Sequence, residues 1–405
     1  MVKRALMNNL YIRDANKTIA DRLQEPRQFM QVLLGPRQVG KTTAIQQVLT
    51  TINIPSHYAS ADQPSLQPSD WIEAQWMKAR GLVEGNEPAV LVLDEVHKLP
   101  EWSSAVKRFW DEDTRDRVPL LVVLLGSSPL LVQRGLTESL AGRFEIISLL
   151  QWSFKECKDY FGWNLDRFLF YGGYPGANKL VNNRDRWLHY VRESLIETTI
   201  SRDVLLTTQI NKPALLRQLF DVTCEYSGQI VSYRKMLGQL HDAGNATTLA
   251  HYLNLLSGIG FVGGLQKYSG SLIRTKASSP KLQVYDTALM TQRSTRTLEQ
   301  TKGDSEYWGH LTESAVAAHL MKAAILGHIE LFYWREGQDE VDLVVKQDNR
   351  LTAIEVKTGS RVKNYNGIKA FRAKYPDSKI LLVGAEGIPV EDFLPRNPVS
   401  LREML

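Results

Sequence analysis

The sequence predicts a multidomain α/β protein in which a parallel sheet with flanking helices precedes smaller domains. Its 405 residues exceed one domain, since a domain typically takes about 150 residues. Apolar runs at 29–34, 89–95 and 118–125 have the pattern of buried parallel strands and alternate with helical stretches. Near the C-terminus the pattern becomes helix, three strands, helix and strand, which predicts a second α/β domain.

Composition excludes several classes of protein. An apolar fraction of 43% and a charged fraction of 23% are ordinary for soluble domains and exclude a collagen-like, coiled-coil or disordered chain. Two cysteines, Cys157 and Cys224, cannot supply a disulfide framework or a cysteine-based zinc module, and they fit a reducing cytoplasm. The N-terminus lacks a secretory apolar region, and the apolar stretch 120–125 is too short to span a membrane. We therefore expect a cytoplasmic protein without membrane insertion.

The first strand leads into a glycine-rich loop and then a helix. Residues 35–42, GPRQVGKT, match G-x-x-x-x-G-K-[ST] at every defined position, and the strand and helix supply the required context. Backbone N–H groups of such a loop cradle phosphates, so the sequence predicts an ATP site with Mg²⁺. Lys41 would reach the β- and γ-phosphates, and the Thr42 hydroxyl would hold Mg²⁺. The predicted nucleotide-binding residues of the loop are Gly35, Pro36, Arg37, Gln38, Val39, Gly40, Lys41, Thr42 and Thr43.

Two acids end the next buried strand, at the edge where α/β sheets bind ligands. Asp94 would orient Mg²⁺ and contribute to the nucleotide site. Glu95 would polarise the attacking water, and the alternative is an acid at a helix N-terminus without a catalytic task.

Polar residues follow the third apolar strand. Ser127 or Ser128 would sense the γ-phosphate, unless these serines cap the next helix, a role that Pro129 favours. Arg143 would act on a neighbouring subunit's γ-phosphate as an arginine finger, or it is a plain surface arginine.

These motifs together resemble a known family. The motifs are the glycine-rich loop, the DE at 94–95 that ends its strand, the GSS at 126–128, the SLAGR at 139–143 and the GGYP at 172–175. Together they resemble prokaryotic AAA+ P-loop ATPases with a C-terminal winged helix and a PD-(D/E)xK nuclease-like domain. The resemblance covers nearly the whole chain. It implies an AAA+ ATPase that assembles as a homo-oligomer, because AAA+ modules usually need a neighbour's arginine for hydrolysis.

The middle of the chain predicts a winged helix after a helical connector. A helix opens near Tyr233 and a second one at Thr247, and the segment 261–285 alternates like a β-wing. Between 206 and 281, eight basic residues against three acids leave a net charge of +5. This charge favours DNA binding, and the alternative is a winged helix that contacts only protein. The expected contacts are Thr247, Thr248 and His251 in the groove and Lys267, Arg274 and Lys276 on phosphates.

The C-terminal domain carries a constellation typical of nucleases. Glu313 lies in a predicted helix, Asp342 in a strand, and Glu355 and Lys357 share one face of the next strand because they are two positions apart. Glu313, Asp342 and Glu355 would bind Mg²⁺ or Mn²⁺, while Glu355 and Lys357 would serve catalysis. These positions resemble the PD-(D/E)xK nuclease fold. The alternative is a domain that retains the fold for docking and does not cut.

The sequence thus predicts an ATPase core at 1–150, a helical lid or connector at 151–205, a winged helix at 206–291 and a nuclease-like domain at 303–405, with a polar linker at 291–303. The expected function is ATP hydrolysis that gates DNA binding and metal-dependent cleavage. The alternative is an ATP-driven switch that binds DNA or a protein partner without cleavage.

Overall fold

A computed structural model of the chain describes residues 11–62, 68–126, 132, 136, 139–205, 210–240, 244–270, 275, 278–357 and 365–398. The chain divides into two compact units, Met1–Leu150 and Gln151–Leu405. Each unit has its own sheet.

The first unit is a parallel sheet with helices on both faces. Its strands lie in the order β2-β3-β4-β1-β5, and every neighbouring pair is parallel. This confirms the α/β class and the parallel sheet that the apolar runs predict. The elements in chain order are α1 (Asp14–Gln24), β1 (Met30–Leu34), α2 (Lys41–Thr51), β2 (Ser56–Ser60), α3 (Pro68–Arg80), β3 (Ala89–Asp94), α4 (Trp102–Asp116), β4 (Leu120–Gly126) and β5 (Phe144–Ser148).

Alternation along the buried strands builds two separate cores. In β3, Leu91 and Leu93 pack in a cluster with Trp76 of α3 and Phe109 of α4. Val92, on the opposite face, packs with residues of α1 and α2. Successive side chains of a strand point to opposite faces, so a continuous apolar run is what a strand covered on both sides requires. The loops at the carboxyl ends of these strands are therefore held by a rigid scaffold.

The second unit begins with helices and ends with a mixed sheet. The helical elements before the sheet are α5 (Phe154–Phe161), α6 (Leu165–Tyr171), α7 (Arg184–His189), π-helical segments at Tyr190–Glu197 and Ile200–Leu205, α8 (Pro213–Glu225), α9 (Tyr233–Gln239) and α10 (Ala246–Gly258). The later elements are β6 (Val262–Lys267), β7 (Lys281–Val284), α11 (Ala288–Thr291), α12 (Leu298–Gly303), α13 (Ser305–Ile325), β8 (Glu330–Glu336), β9 (Asp339–Gln347), β10 (Arg350–Lys357), α14 (Asn366–Lys374), β11 (Lys379–Gly384) and α15 (Val390–Phe393). The predicted order of helix, three strands, helix and strand at the C-terminus is present as α13 to β11.

The Gly-Gly-Tyr-Pro segment at 172–175 packs closely against its neighbours in the second unit. A Cβ on Gly172 would lie 1.8 Å from Asp286 Oδ1, and one on Gly173 would lie 2.0 Å from the Trp152 carbonyl oxygen. The Gly173 N–H donates to Asp286 Oδ2 at 2.7 Å, which satisfies a fully buried carboxylate. The glycines therefore let the backbone approach its neighbours closely.

The structure differs from the sequence prediction between 206 and 303. Strands β6 and β7 form an antiparallel hairpin, but β6 also pairs with β8 through Gln266 and Lys267, and one sheet runs β11-β10-β9-β8-β6-β7. The predicted winged-helix and nuclease-like regions thus share a sheet, since this pairing satisfies backbone groups of β6 that would otherwise form an open edge. The expected linker at 291–303 instead contains α12, which begins with a capping box of Thr297 and Gln300.

Candidate functional site

The glycine-rich loop lies between β1 and α2, as predicted. A Cβ on Gly35 would lie 1.8 Å from the Leu149 carbonyl oxygen, and Gly40 has a left-handed φ of 95°. Both positions therefore require glycine. Lys41 is 8% exposed, and its Nζ donates to the carbonyl oxygens of Gly35 and Pro36 at 2.8 Å each. Lys41 thus bridges the two ends of the loop, and its ammonium group lies at the position where phosphates would bind.

Asp94 ends β3 beside the start of α2. Its Oδ2 accepts hydrogen bonds from Thr42 Oγ1 at 3.1 Å and from the Tyr58 hydroxyl at 2.5 Å. Burial raises the pKa of Asp94, and the Tyr58 hydrogen bond opposes that rise. The predicted pair of Thr42 and Asp94 is therefore brought together. Tyr58, on β2, was missed by the sequence analysis because no motif marks it.

Glu95 follows Asp94 with a left-handed φ of 57°. Its Oε2 lies 3.2 Å from Lys98 Nζ and 3.5 Å from His97 Nε2, and Lys98 also pairs with Asp62. Burial lowers the pKa of His97 to about 4, so the imidazole is neutral at pH 7 and Lys98 is the charged partner of Glu95. Glu95 precedes a 3₁₀ turn without capping it through its side chain.

The other predicted nucleotide-site residues have different outcomes. Ser127 and Ser128 lie outside the described residues. Arg143 forms a two-pronged ion pair with Asp111 of the same chain, at 2.8 and 3.1 Å, and its side chain is one-third exposed. A finger role would require Arg143 to exchange this pair for a neighbour's phosphate.

The second unit brings the four predicted nuclease residues to one cluster. Lys357 Nζ lies 2.6 Å from Glu355 Oε1, and Asp342 Oδ2 accepts the Val356 N–H at 3.0 Å. Glu313 of α13 faces the same cluster. Burial raises the pKa of both Glu313 and Glu355, so each carboxyl group holds its proton to a higher pH than an exposed glutamate does.

The cluster also contains a lysine that the sequence analysis assigned elsewhere. Lys281, the first residue of β7, is fully buried and lies 2.9 Å from Glu313 Oε1, 3.4 Å from Asp342 Oδ1 and 3.4 Å from Glu340 Oε1. Burial by itself lowers the pKa of Lys281, but the surrounding carboxylates outweigh it and raise the pKa, so the ammonium is charged. The net charge of +5 between 206 and 281 includes Lys281, and the expectation that this whole charge faces DNA was wrong, because the Lys281 charge is neutralised inside the fold.

The described residues do not fit a metal at this place. No group of three His, Cys, Asp or Glu side chains within the described ranges is arranged to hold a metal ion. The carboxylates of Glu313 and Asp342 converge on an ammonium group instead. Glu313 Oε1 and Glu355 Oε2 are buried without a hydrogen-bond partner among the described residues, and Lys281 Nζ lies 2.9 Å from the first of them.

The predicted DNA-reading helix is α10, which begins one residue earlier than expected. Thr247 and His251 are exposed, while Thr248 is engaged in the cap, where its N–H donates to Asn245 Oδ1 at 2.8 Å. Lys267 is partly exposed, and the expected phosphate contacts Arg274 and Lys276 lie outside the described residues. In the part of the chain that the structure describes, no helix is both long and apolar enough to cross a bilayer.

Three protein families match consecutive parts of the chain. Residues 27–158 match the AAA domain family, 162–300 match a domain of unknown function (DUF8612), and 308–395 match another (DUF4143). Most of the first match lies in the first unit, which supports an AAA-type P-loop ATPase domain there, and such domains imply ATP and Mg²⁺ as ligands. No curated protein sequence matches the chain significantly.

Several solved structures are similar to the chain at low sequence identity. A Walker-type ATPase of Pyrococcus abyssi is 12% identical over 69% of this chain and 94% of its own, with a TM-score of 0.42. The RuvB Holliday junction branch migration motor of Thermotoga maritima is 19% identical over 62% of this chain and 86% of its own, with a TM-score of 0.32.

Proposed function

We propose that the protein hydrolyses ATP and uses the nucleotide cycle to switch its association with DNA. The observation that carries the ATPase part is the meeting of Lys41, Thr42 and Asp94 at the carboxyl edge of the parallel sheet. Thr42 Oγ1 and Asp94 Oδ2, 3.1 Å apart, are oxygen ligands of the kind that Mg²⁺ prefers, and the backbone N–H groups of such a glycine-rich loop bind phosphates. These residues fit Mg·ATP, in which the metal neutralises phosphate charge.

Each residue has a definable task in hydrolysis. Lys41 would exchange two carbonyl oxygens for the β- and γ-phosphates. Glu95 would orient the attacking water after leaving Lys98. Arg143 would leave Asp111 for the γ-phosphate of a neighbouring copy, which requires a homo-oligomer. The Arg143–Asp111 pair is partly exposed, so its exchange costs little.

DNA is the partner that we propose for the second unit. Helices α8, α9 and α10 followed by the β6–β7 hairpin have the order of a winged helix, which supports this assignment. The exposed Thr247 and His251 stand at the start of α10, where a recognition helix contacts bases. A winged helix that contacts only protein is the competing assignment.

We infer that the C-terminal region binds without cutting, which is the second of the two functions that the sequence predicts. The supporting observation is Lys281 among the carboxylates that Mg²⁺ or Mn²⁺ would need. In a nuclease, Glu355 would help hold the metal and Lys357 would stabilise charge. In this chain the two side chains pair with each other at 2.6 Å.

The test for hydrolysis and cleavage uses linear, nicked, forked and four-way-junction DNA with Mg²⁺ or Mn²⁺, with and without ATP. We expect phosphate release by the wild type, its loss in Lys41→Ala and Glu95→Gln, and intact DNA throughout. Absence of hydrolysis in the oligomeric wild type would overturn the ATPase proposal. Cleavage that disappears in Glu355→Ala would overturn the assignment as a non-cutting domain.

The test for DNA binding compares two exposed histidines. His251→Glu places a negative charge on α10, whereas His328→Glu places the same charge in the turn after α13. We expect weaker DNA binding by fluorescence anisotropy in the first variant only, because phosphates repel the new carboxylate. Equal binding by both variants would show that α10 does not face DNA and would favour a protein partner.

A further inference from the structure

We propose that Lys281 is a built-in cation that takes the place of a divalent metal at the acidic centre of the second unit. This inference deepens the part of the proposed function in which the C-terminal region does not cut DNA. The second unit then keeps the acids of a nuclease-like site while needing no metal.

The surroundings of the ammonium group support this. Lys281 Nζ lies within 3.4 Å of four oxygens from two elements: Glu313 Oε1 of α13, and Glu340 Oε1, Asp342 Oδ1 and the Asp342 carbonyl oxygen of β9. A convergent set of carboxylate and carbonyl oxygens is what a hard cation binds in proteins. The ammonium donates to Glu340 Oε1, Asp342 Oδ1 and the Asp342 carbonyl oxygen at 3.3–3.4 Å, and it pairs by charge with the Glu313 carboxylate.

A metal and this ammonium exclude each other. Mg²⁺ demands oxygens at about 2.0–2.1 Å in near-octahedral geometry. An Mg²⁺ ion bound to Glu313 Oε1 and Asp342 Oδ1 would compete with Lys281 Nζ, which lies 2.9 and 3.4 Å from these two oxygens. Strong repulsion would oppose two cations at one place.

Lys281 is fixed in this position by the strand that carries it. Its side chain is 1% exposed, and its backbone pairs with Leu265 in the hairpin and with Ile230. On the same strand, the Val284 N–H donates to Ser227 Oγ at 3.2 Å, and Ser227 Oγ lies 2.8 Å from Ser314 Oγ of α13, the residue after Glu313. A polar seam therefore joins this face of β7 to α13.

The first test measures metal binding by the full-length chain, without nucleotide or DNA. An Asp94→Asn background removes the metal-holding carboxylate of the first unit. Mn²⁺ is titrated and followed by electron paramagnetic resonance. We expect no stoichiometric site. A stoichiometric Mn²⁺ site that is lost on adding Glu313→Gln or Glu355→Gln would overturn the inference, even if DNA stays uncut and ATP is still hydrolysed.

The second test removes the cation. In the same background, Lys281→Met should melt at a lower temperature, because it leaves buried carboxylates unpaired. We expect Mn²⁺ to raise the melting temperature of this variant by about 5 °C or more when the metal is well above its dissociation constant. Mn²⁺ should not raise the melting temperature of the protein that keeps Lys281, nor that of a Lys267→Met control with its substitution on the same hairpin. No Mn²⁺ response in a folded Lys281→Met variant would overturn the inference.

A variant that fails to fold is addressed by a double substitution. Lys281→Met with Glu313→Met replaces the closest ion pair by apolar side chains, and such replacements are often neutral or stabilising. We expect the double variant to be more soluble and to melt higher than Lys281→Met. A double variant no better than Lys281→Met would overturn the pairing on which the inference stands.

Discussion

Replacement of Lys41 by methionine should weaken the first unit even when no nucleotide is present. The ammonium donates to the carbonyl oxygens of Gly35 and Pro36, and both residues are buried. Methionine keeps much of the side-chain volume and removes the donors. Two carbonyl groups then lose their partner inside the loop, while the loss of ATP binding follows separately from the missing positive charge.

The expected magnitude follows from these two hydrogen bonds. Hydrogen bonds to a charged group contribute about 1.5–3 kcal/mol each. Removal of a nearly buried ammonium restores part of that loss, because the charge no longer has to be desolvated. We expect a net decrease of about 2 kcal/mol in the free energy of unfolding, which corresponds to about 4–8 °C in the melting temperature of a unit of this size.

Differential scanning calorimetry with and without Mg·ATP measures both effects. The transition that Mg·ATP raises in the wild type identifies the first unit, and Lys41→Met should lower that transition and abolish its response to Mg·ATP. Lys17→Met, at an exposed position of α1, is the matched control and should change stability by less than about 0.5 kcal/mol. A Lys41→Met variant that loses the ATP response but melts like the wild type would refute the reasoning.

Two further predictions concern the first unit. Asp113 is fully buried and accepts hydrogen bonds from Trp76 Nε1 at 2.8 Å and Arg80 Nε at 2.7 Å. Asp113→Ala should therefore lower the free energy of unfolding, measured by urea denaturation, by about 3–5 kcal/mol. A decrease as small as that of the exposed Asp116→Ala would contradict this. The pKa of His97 is about 4 in the folded chain against an ordinary 6.5, so stability should fall by up to about 3 kcal/mol as the pH decreases from 6.5 to 4, since the unfolded chain takes up the proton first. Urea midpoints near pH 7 and pH 5 measure this, and an equal pH dependence in His97→Gln would show that another group is responsible.

The nucleotide site was predictable because its determinants are local. Lys41 and Thr42 are consecutive residues of the loop motif, so the motif itself determines where they lie. The apolar run before Asp94 identifies a strand covered on both faces. Parallel strands present their carboxyl ends at one edge, so the sequence could place Asp94 beside the loop without knowledge of the strand order. Tyr58 could not be found in this way, because a hydroxyl on a neighbouring strand leaves no pattern in its own segment.

The acidic cluster was predictable only in part. Spacing along one strand predicts that Glu355 and Lys357 share a face, and they form an ion pair. Lys281 lies 61 positions before Asp342, and its place depends on the pairing of β6 with β8. A basic residue at the start of a strand is most often solvated. Only the assembled sheet shows that this one is enclosed by carboxylates.

The pairing of β6 with β8 has a practical consequence for fragments of this protein. A fragment excised at residue 303 would carry α13 and β8 to β11 but would lose β6 and β7. It would expose the backbone groups of β8 near Phe332 and Tyr333, and an uncovered strand of this kind invites intermolecular association. The same excision would leave Glu313 and Asp342 without their ammonium partner. A soluble recombinant C-terminal piece therefore has to begin before the hairpin, and not in the gap between the family matches that end at residue 300 and begin at residue 308.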